Sequence, residues 1–326
     1  MVYLRYFLEG IKFIIQMIFN IIKWFAIGII TVICIFPYYF IIGIIFIFNK
    51  KKRKELGFSK PLIPTIMMIL SLTTYFISVF ILTRWFVQQE RIKNLSESIV
   101  SSTVILEKEE NKTEEPITPS DNSNSNTSVD YSEYYGFANA DFDNLLSRNS
   151  DTVAWIKVSN TKINYPVVQT TDNEYYLNHD FNKYSTNVGW IFGDYRDDFN
   201  NFGFNTIIYG HNLINREMFG SLPWTMKSSW YKNKKNYDIY LETANAKTTW
   251  RVFSIYKIEP VTDYLRTSFY SYDEYNNWLD VMKNRSIYNF GEEVSSDDKV
   301  LSLSTCDDTG HYRVVLQAKL VSVVTN

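Results

Sequence analysis

Two β-strands joined by a short turn are predicted from the sequence VLSLSTCDDTGHYRVVLQAKL, residues 300–320. The first strand carries Cys306 to its tip, a turn of six residues follows, and the second strand opens with Arg313. We therefore expect Arg313 to return beside the cysteine. A fixed cation favours a thiolate over a thiol, and a guanidinium can also stabilise the oxyanion of an acyl-transfer intermediate. This hairpin predicts a site of nucleophilic cysteine chemistry.

A candidate general base lies upstream, in the sequence TIIYGHN of residues 206–212. A buried strand is predicted to run into Gly210, and His211 follows it. A residue at the end of a strand is held rigidly and still faces a cleft, which suits a catalytic group. A single histidine in this position is more often a turn residue. Together with the cysteine and the arginine, His211 becomes the favoured base.

The chain has two other histidines, His179 and His311. His179 lies in a tyrosine-rich segment and is interpreted as structural. His311 is close to Cys306 in sequence and competes for the role of base. It sits in a turn, however, and a turn positions a base poorly. We therefore keep His211 as the prediction.

A mainly β domain is predicted for residues 131–326, with many short strands and no regular helices between them. This pattern indicates a closed or sandwiched sheet. One amphipathic helix interrupts it at residues 272–285, with Ser271 placed to cap it. A further short helix is predicted at residues 137–146. The eight strand candidates cover residues 153–158, 163–168, 188–192, 205–209, 237–241, 248–258, 299–304 and 312–324.

Residues 1–87 are predicted to belong to a membrane. The segments 24–48 and 62–83 carry no charge and are long enough to span it. Residues 3–23 are interpreted as an interfacial or extended lead-in, with a third span as the alternative. Five consecutive cations, Lys50–Lys54, lie between the two spans and indicate a cytoplasmic loop. The remainder of the chain would then lie outside the cell. Residues 88–130 are polar and are predicted to form a flexible linker, in which residues 88–100 could continue the second helix for a few turns.

Net charge and cysteine content exclude several classes of protein. The charge is +8 over residues 1–87 but −5 over residues 131–326, so the folded domain is not a uniformly basic nucleic-acid binder. The chain has two cysteines and three histidines. This content argues against a disulfide framework or a structural zinc site. We predict no cofactor and no metal.

Several of these motifs resemble the sortases, which are bacterial cell-surface cysteine transpeptidases, and in particular class B. The likeness covers about residues 135–325, and the helix at 272–285 lies where class B sortases carry an extra helix. The resemblance implies an eight-stranded β-barrel in which His211, Cys306 and Arg313 form the triad. It also implies that Ser304, Thr305, Asp307 and Asp308 border the substrate groove. The matching segments are STC at 304–306 before a strand that opens with Arg, YGHN at 209–212, YYLNH at 175–179, GWIFGDYR at 189–196 and MFGSL at 218–222.

The same resemblance implies an activity and its partners. A membrane-anchored transpeptidase would cleave a C-terminal sorting signal after Thr, form a thioacyl intermediate on Cys306, and transfer it to an amine. The partners would be surface proteins with a sorting motif, an amine of a cell-wall precursor or a pilin, and membrane lipid. The protein would be multi-pass in the membrane of a Gram-positive cell, with its catalytic domain outside. Class B enzymes generally have one N-terminal anchor, whereas this sequence predicts two spans.

Two other functions stay open at this point. One is a different cysteine acyl-transferase or peptidase. A papain-like order is disfavoured because Cys precedes His there, whereas His211 precedes Cys306 here. L,D-transpeptidases place a His and a Gly next to the cysteine, which Ser304 and Thr305 do not match. The other alternative is a catalytically silent, membrane-tethered binding module on the same fold.

Overall fold

The computed structural model describes residues 62–110, 136–307 and 309–325, together with the single positions 41, 49, 51 and 55. The predicted first span at 24–48, the lead-in at 3–23, most of the basic loop and residues 111–130 of the predicted linker lie outside the described residues. The chain divides into two compact units, Met1–Phe86 and Val87–Asn326, which are described separately.

A long helix, α1, covers Leu62–Glu110 and contains the second predicted span. Its stretch Ile69–Ser102 is long and apolar enough to cross a membrane, judged by length and composition, and is the one such helix in the part that the structure describes. Large apolar side chains of the first unit, such as Phe76, Phe80 and Leu82, are exposed. An exposed apolar surface of this kind is typical of a helix that contacts lipid.

The continuation of the second helix over residues 88–100 is present, and α1 extends beyond it to Glu110. The part of the predicted linker from 88 to 110 is therefore helical. Within the second unit, Ile92, Ser96 and Ile99 are buried on one face of the helix. Their spacing of four and three residues places them on a single stripe. The sequence predicted the continued helix but not this buried stripe, because the polar composition of the whole segment concealed it.

The second unit contains a closed barrel, and its eight strands confirm the predicted fold class. The order around the barrel is β1-β2-β3-β4-β7-β8-β6-β5, with β5 returning to β1. The strands are β1 Thr152–Val158, β2 Asn164–Val168, β3 Phe192–Gly193, β4 Asn205–Tyr209, β5 Asp238–Glu242, β6 Ala246–Ile258, β7 Val300–Cys306 and β8 Arg313–Thr325.

Strand pairing brings the two predicted motifs to the same end of the barrel. Strands β4 and β7 are parallel, and Tyr209 pairs with Ser304. Because parallel neighbours end at the same edge of a sheet, the residues that follow Tyr209 lie beside the tip of β7. Strands β7 and β8 are antiparallel, and Cys306 pairs with Arg313. The prediction that Arg313 returns beside the cysteine is therefore confirmed.

The strand predicted at 188–192 is much shorter, because only Phe192 and Gly193 pair as β3. Gly189 has a φ of +63°, which is outside the range of a strand. The next residue, Trp190, donates its backbone N–H to the carbonyl of Tyr176 at 2.9 Å. The backbone N–H of Trp190 is therefore bonded to the preceding loop, and contact with β2 begins only at Ile191, whose carbonyl accepts the Val168 N–H at 3.2 Å.

In the described part of the second unit, three short α-helices lie around the barrel: α2 Phe142–Arg148, α3 Ser228–Tyr231 and α4 Tyr272–Asn284. The prediction of α4 is confirmed, including its cap, since the Ser271 side chain accepts from the N–H of Glu274 at 3.1 Å. Helix α4 buries Tyr275, Trp278, Leu279 and Met282 against a second apolar cluster that includes Phe253 and Tyr256.

Helix α2 begins at Phe142, five residues after the predicted start at 137. The reason is a buried carboxylate. Glu242 accepts the backbone N–H groups of Ala138, Asn139 and Ala140 at 2.5–3.1 Å. These three donors are bonded to a side chain of β5 and hold an extended turn, so the helix starts only after Asp141 caps it.

Candidate active site

A cleft of about 330 Å³ opens at the end of β4 and β7. It contains all three residues of the predicted triad, together with two of the predicted groove residues. The structure therefore brings together parts of the chain that are about 95 residues apart. The lining residues are Asn173, Leu177, Phe192, Tyr209, Gly210, His211, Tyr264, Leu265, Ser304, Thr305, Cys306 and Arg313.

The two ends of the β7–β8 hairpin present the thiol and the guanidinium to this cleft. Cys306 is a free cysteine and is partly exposed. Arg313 is also partly exposed, and its Nη1 donates to the carbonyl of the preceding Tyr312 at 3.4 Å. Because the two residues are register partners in a sheet, their separation is fixed by the backbone ladder rather than by a flexible loop.

His211 is attached to the cysteine strand through Gly210. Thr305 Oγ1 donates to the carbonyl of Gly210 at 2.7 Å, and the Gly210 N–H donates to the carbonyl of Ser304 at 3.3 Å. On the other side, His211 Nε2 lies 3.0 Å from the carbonyl oxygen of Leu177. A carbonyl oxygen only accepts, so Nε2 carries the proton in this contact and Nδ1 is the second ring nitrogen.

Tyr264 contacts the cysteine strand and was not predicted from the sequence. It is buried, and its hydroxyl lies 3.0 Å from Ser304 Oγ. Burial raises the pKa of Tyr264 above its usual value, so the phenol is neutral at physiological pH. Its neighbour Leu265 also lines the cleft. Both residues lie in a short 3-10 turn after β6, which carries no motif of its own.

Asp194 organises one wall of the cleft from a fully buried position. It accepts hydrogen bonds from the hydroxyl of Tyr209 and the amide of Asn173, each at 2.9 Å. Arg196 adds a bidentate pair at 2.7 Å. Burial alone would raise the pKa of Asp194, but these hydrogen bonds outweigh it and hold the pKa below its usual value. The carboxylate therefore fixes two cleft residues, Tyr209 and Asn173, without entering the cleft itself.

Asp307 does not line the cleft, in contrast to its predicted place at the groove. Its carboxylate forms an ion pair of 2.6 Å with Lys257 and accepts from Thr309 Oγ1 at 2.8 Å and from the N–H of Tyr312 at 3.2 Å. Burial alone would raise the pKa of Asp307, but these partners hold it well below its usual value. The side chain stabilises the turn between Cys306 and Arg313. Asp308 lies outside the described residues.

The two remaining histidines are not among the residues that line the cleft. His179 stacks on Tyr175 with ring centroids 4.0 Å apart, and its Nδ1 lies 2.8 Å from the carbonyl of that residue. His311 is exposed in the turn, where its backbone N–H donates to Thr309 Oγ1 at 3.3 Å. Within the described ranges, no group of three or more His, Cys, Asp or Glu side chains could hold a metal ion.

Comparison with known proteins identifies the class to which this barrel and cleft belong. The family model described as Sortase domain matches residues 156–321, about half of the chain. The chain is 37% identical to Sortase B of Staphylococcus aureus over 185 residues, which covers 56% of this chain and 75% of that protein. It is 32% identical to Sortase B of Listeria monocytogenes over 181 residues, which covers 55% and 73%.

A solved structure supports the same conclusion. The chain resembles the Staphylococcus aureus sortase B–substrate complex with a TM-score of 0.58 and 29% identity, over 72% of this chain and 99% of that one. The chain therefore belongs to the sortase family of transpeptidases. Within that family it is most similar to the class B sortases, as the sequence motifs predicted.

Proposed function

We propose that the chain is a membrane-anchored cysteine transpeptidase that cleaves a C-terminal sorting signal after Thr and transfers the acyl group to an amine. The observation that carries this proposal is the register pair of Cys306 and Arg313, with His211 on the same cleft. A nucleophile, a proton-transfer group and a fixed cation thus face one space. These are the groups that acyl transfer through a thioester requires.

The first half-reaction forms the acyl-enzyme. The Cys306 thiolate attacks the carbonyl carbon of the substrate Thr, and the negative charge that develops on the carbonyl oxygen is stabilised by Arg313. The C–N bond then breaks, and His211 donates a proton to the departing amine. The products are a thioester between Cys306 and the Thr carbonyl, and the released C-terminal peptide.

The second half-reaction uses the same groups in reverse. A primary amine enters the cleft, His211 removes its proton, and the nitrogen attacks the thioester carbonyl. The C–S bond breaks, and Cys306 leaves as a thiolate. The product is a new amide bond between the substrate Thr and the acceptor. Cell-wall precursors and pilin lysines both supply such an amine.

Ser304 and Thr305 are proposed to border the substrate groove through their backbone. Their hydroxyl groups already have partners within the protein, since Ser304 Oγ meets the Tyr264 hydroxyl and Thr305 Oγ1 donates to Gly210. The two side chains therefore stabilise the end of β7, where the cleft lies. Asp307 is assigned to the turn rather than to the groove.

Helix α1 supports anchoring of the chain in a membrane. Its exposed apolar side chains continue to Phe86 and Val87, and Arg84 and Trp85 lie at that end. Cationic and indole side chains of this kind are typical of the membrane–water interface. We propose that the basic segment Lys50–Lys54 lies in the cytoplasm and the catalytic domain outside the cell, with a further span at 24–48.

The proposal predicts that the full chain converts sorting peptides into amide products in the presence of an amine. A panel of peptides with Thr before the scissile bond is incubated with triglycine or an Nα-blocked lysine, and the products are sequenced by mass spectrometry. We expect one peptide class to be cleaved after Thr and joined to the acceptor amine. Cleavage at another residue would contradict the proposed transfer. So would hydrolysis of the peptide that continues unchanged, without an amide product, when an acceptor amine is added.

A further inference from the structure

The segment of α1 between Arg91 and Ile99, called here the docking segment, packs onto the catalytic unit. Ile92 and Ile99 are fully buried, and Ser96 is 4% exposed. On the opposite face, Lys93 and Glu97 have side chains that are 47% and 64% exposed. The helix therefore contacts the domain through one stripe only. Nothing in the triad itself requires this contact.

The docking segment first contacts the loop that follows the 3-10 turn at Tyr175–Leu177. Arg91 forms an ion pair of 3.1 Å with Asp180, whose side chain is fully buried, and lies 4.7 Å from the ring centroid of Tyr184. The other carboxylate oxygen of Asp180 accepts the backbone N–H groups of Asn182 and Tyr184, each at 3.0 Å. Arg91 thus holds a carboxylate that shapes this loop.

The 3-10 turn that precedes this loop supplies a hydrogen-bond partner to His211. The carbonyl of Leu177, three residues before Asp180, accepts from His211 Nε2 at 3.0 Å. Gly189, which has a positive φ of +63°, lies against one side of the imidazole. A Cβ at Gly189 would lie 2.9 Å from His211 Cδ2 and 2.7 Å from the Leu177 carbonyl oxygen. The ring is therefore closely packed against this segment, and a displacement of the loop would move it.

The second contact reaches the loop that follows His211. Ser96 Oγ lies 3.5 Å from Glu217 Oε2, which also accepts the Tyr165 hydroxyl at 2.7 Å. The Tyr165 hydroxyl in turn accepts the backbone N–H of Met218 at 3.2 Å. Ser96 and Tyr165 thus hold the Glu217 side chain from two directions.

The loop held by Glu217 is tied to the backbone of His211. Met218 pairs with Asn212 in an isolated bridge, and the Phe219 N–H donates to the His211 carbonyl at 3.0 Å. The docking segment therefore touches both parts of the chain that hold this histidine. One contact acts on the imidazole through Leu177, and the other acts on the backbone through Glu217.

We propose that the docking segment positions His211 for proton transfer, acting through Asp180 and Glu217. This inference rests on the proposed function, in which His211 protonates the departing amine. Arg91, Ser96 and the two buried isoleucines are positioning residues, since none of them lines the cleft. A general acid must lie within hydrogen-bond reach of the leaving atom, and a misplacement of about 1 Å can cost on the order of 10²-fold in rate.

A leaving group that needs no proton separates this role from a structural one. An amide nitrogen must be protonated as it departs, whereas a p-nitrophenolate departs without a proton. A p-nitrophenyl ester of the sorting peptide therefore acylates Cys306 without help from His211. Loss of histidine positioning should slow cleavage of the amide and leave acylation by the ester nearly unchanged.

The experiment compares two double variants of the full-length chain in detergent: Ile92→Ala with Ile99→Ala, and Lys93→Ala with Glu97→Ala as the matched control on the exposed face. We expect the first to lower kcat for the amide at least about tenfold, with KM and ester acylation within about twofold of the parent. The control should change neither rate by more than about twofold. An equal fall with amide and ester, no fall, or the same fall in the control would overturn the proposal.

A second pair of variants covers the case in which the isoleucine double variant fails to fold. Arg91→Gln should reproduce the selective loss with the amide, and Arg91→Lys should restore part of it because it keeps a cation beside Asp180 but not the stacking on Tyr184. Lack of any selective loss in Arg91→Gln would overturn the proposal. A Cys306→Ala chain that still cleaves the amide would instead refute the proposed function, so the two failures are distinguishable.

Discussion

Replacement of Cys306 by alanine is expected to lower both cleavage and transfer by at least about 10⁴-fold, because in the proposed mechanism one thiol serves both half-reactions. Cys306 is a free, partly exposed residue at the tip of β7, and the change removes a single atom beyond Cβ. The fold should therefore survive. Peptide cleavage and triglycine transfer are measured on the same preparation, and thermal unfolding is followed in parallel.

The second cysteine of the chain provides a matched control for this experiment. Cys34→Ala removes the other thiol, in the apolar segment near the N-terminus, and should retain cleavage within about twofold. Measurable hydroxylaminolysis by Cys306→Ala would exclude this residue as the nucleophile. A loss that follows the melting temperature would instead indicate a structural role for the cysteine.

Arg313→Lys is expected to lose activity on the order of 10²-fold, and Arg313→Ala on the order of 10³-fold. The reason is geometric, since Arg313 is the register partner of Cys306 and its reach into the cleft is set by the sheet. A planar guanidinium can donate to an oxyanion and to a substrate carbonyl together. An ammonium is a single, strongly hydrated charge and cannot reproduce that geometry.

The measurement for Arg313 is kcat/KM for transpeptidation, taken with thermal unfolding for both variants. Lys319 lies on the same strand as Arg313 but distant from the cleft, so Lys319→Ala serves as a control for loss of a cation from β8. If the Arg313→Lys variant transfers the peptide at nearly the parent rate, Arg313 is not a catalytic residue. Cys306 and His211 would then carry the reaction without a guanidinium.

The barrel could be predicted from the sequence because its strands carry local signals. Seven of the eight predicted strands agree with the structure within about two residues at each end, and the helix after Ser271 was placed with its cap. The exception, residues 188–192, failed because Gly189 takes a positive φ and its neighbours bond to a distant loop. Such a partner has no signature in the local pattern of residues.

The cleft could be predicted only in part, for a similar reason. Cys306, Arg313 and His211 stand at strand ends, where position in the sequence indicates position in space. Tyr264 and Asp194 contribute to the cleft through hydrogen bonds with residues that are distant in the sequence. Tyr264 contacts Ser304, and Asp194 accepts from Tyr209. Tyr209 directly precedes Gly210 and His211 on β4, so it could have been included from its position alone.

The helix of the docking segment was predicted as a continuation of the second span, but its packing onto the catalytic unit was not. The sequence from 88 to 130 is polar as a whole, and the charge run at 107–115 and the serine and asparagine run at 120–128 dominate that average. Three small or apolar positions, Ile92, Ser96 and Ile99, nevertheless form one helical stripe that becomes buried. The polar partners of the segment are Asp180 for Arg91 and Glu217 for Ser96. Both lie on loops of the catalytic unit and could not be inferred from the helix itself.

The central claim is that the substrate becomes covalently attached to Cys306 through its Thr carbonyl. Its most direct test is mass spectrometry of the intact full-length chain. The chain is mixed, without an acceptor amine, with an intact sorting peptide that it is able to cleave, and the reaction is quenched in acid. We predict a mass increase equal to the acyl fragment that ends in Thr, mapped to Cys306 by proteolysis and released by hydroxylamine as the Thr hydroxamate. An adduct on a different side chain, or steady cleavage of the peptide without any adduct on Cys306 at early times, would contradict the account.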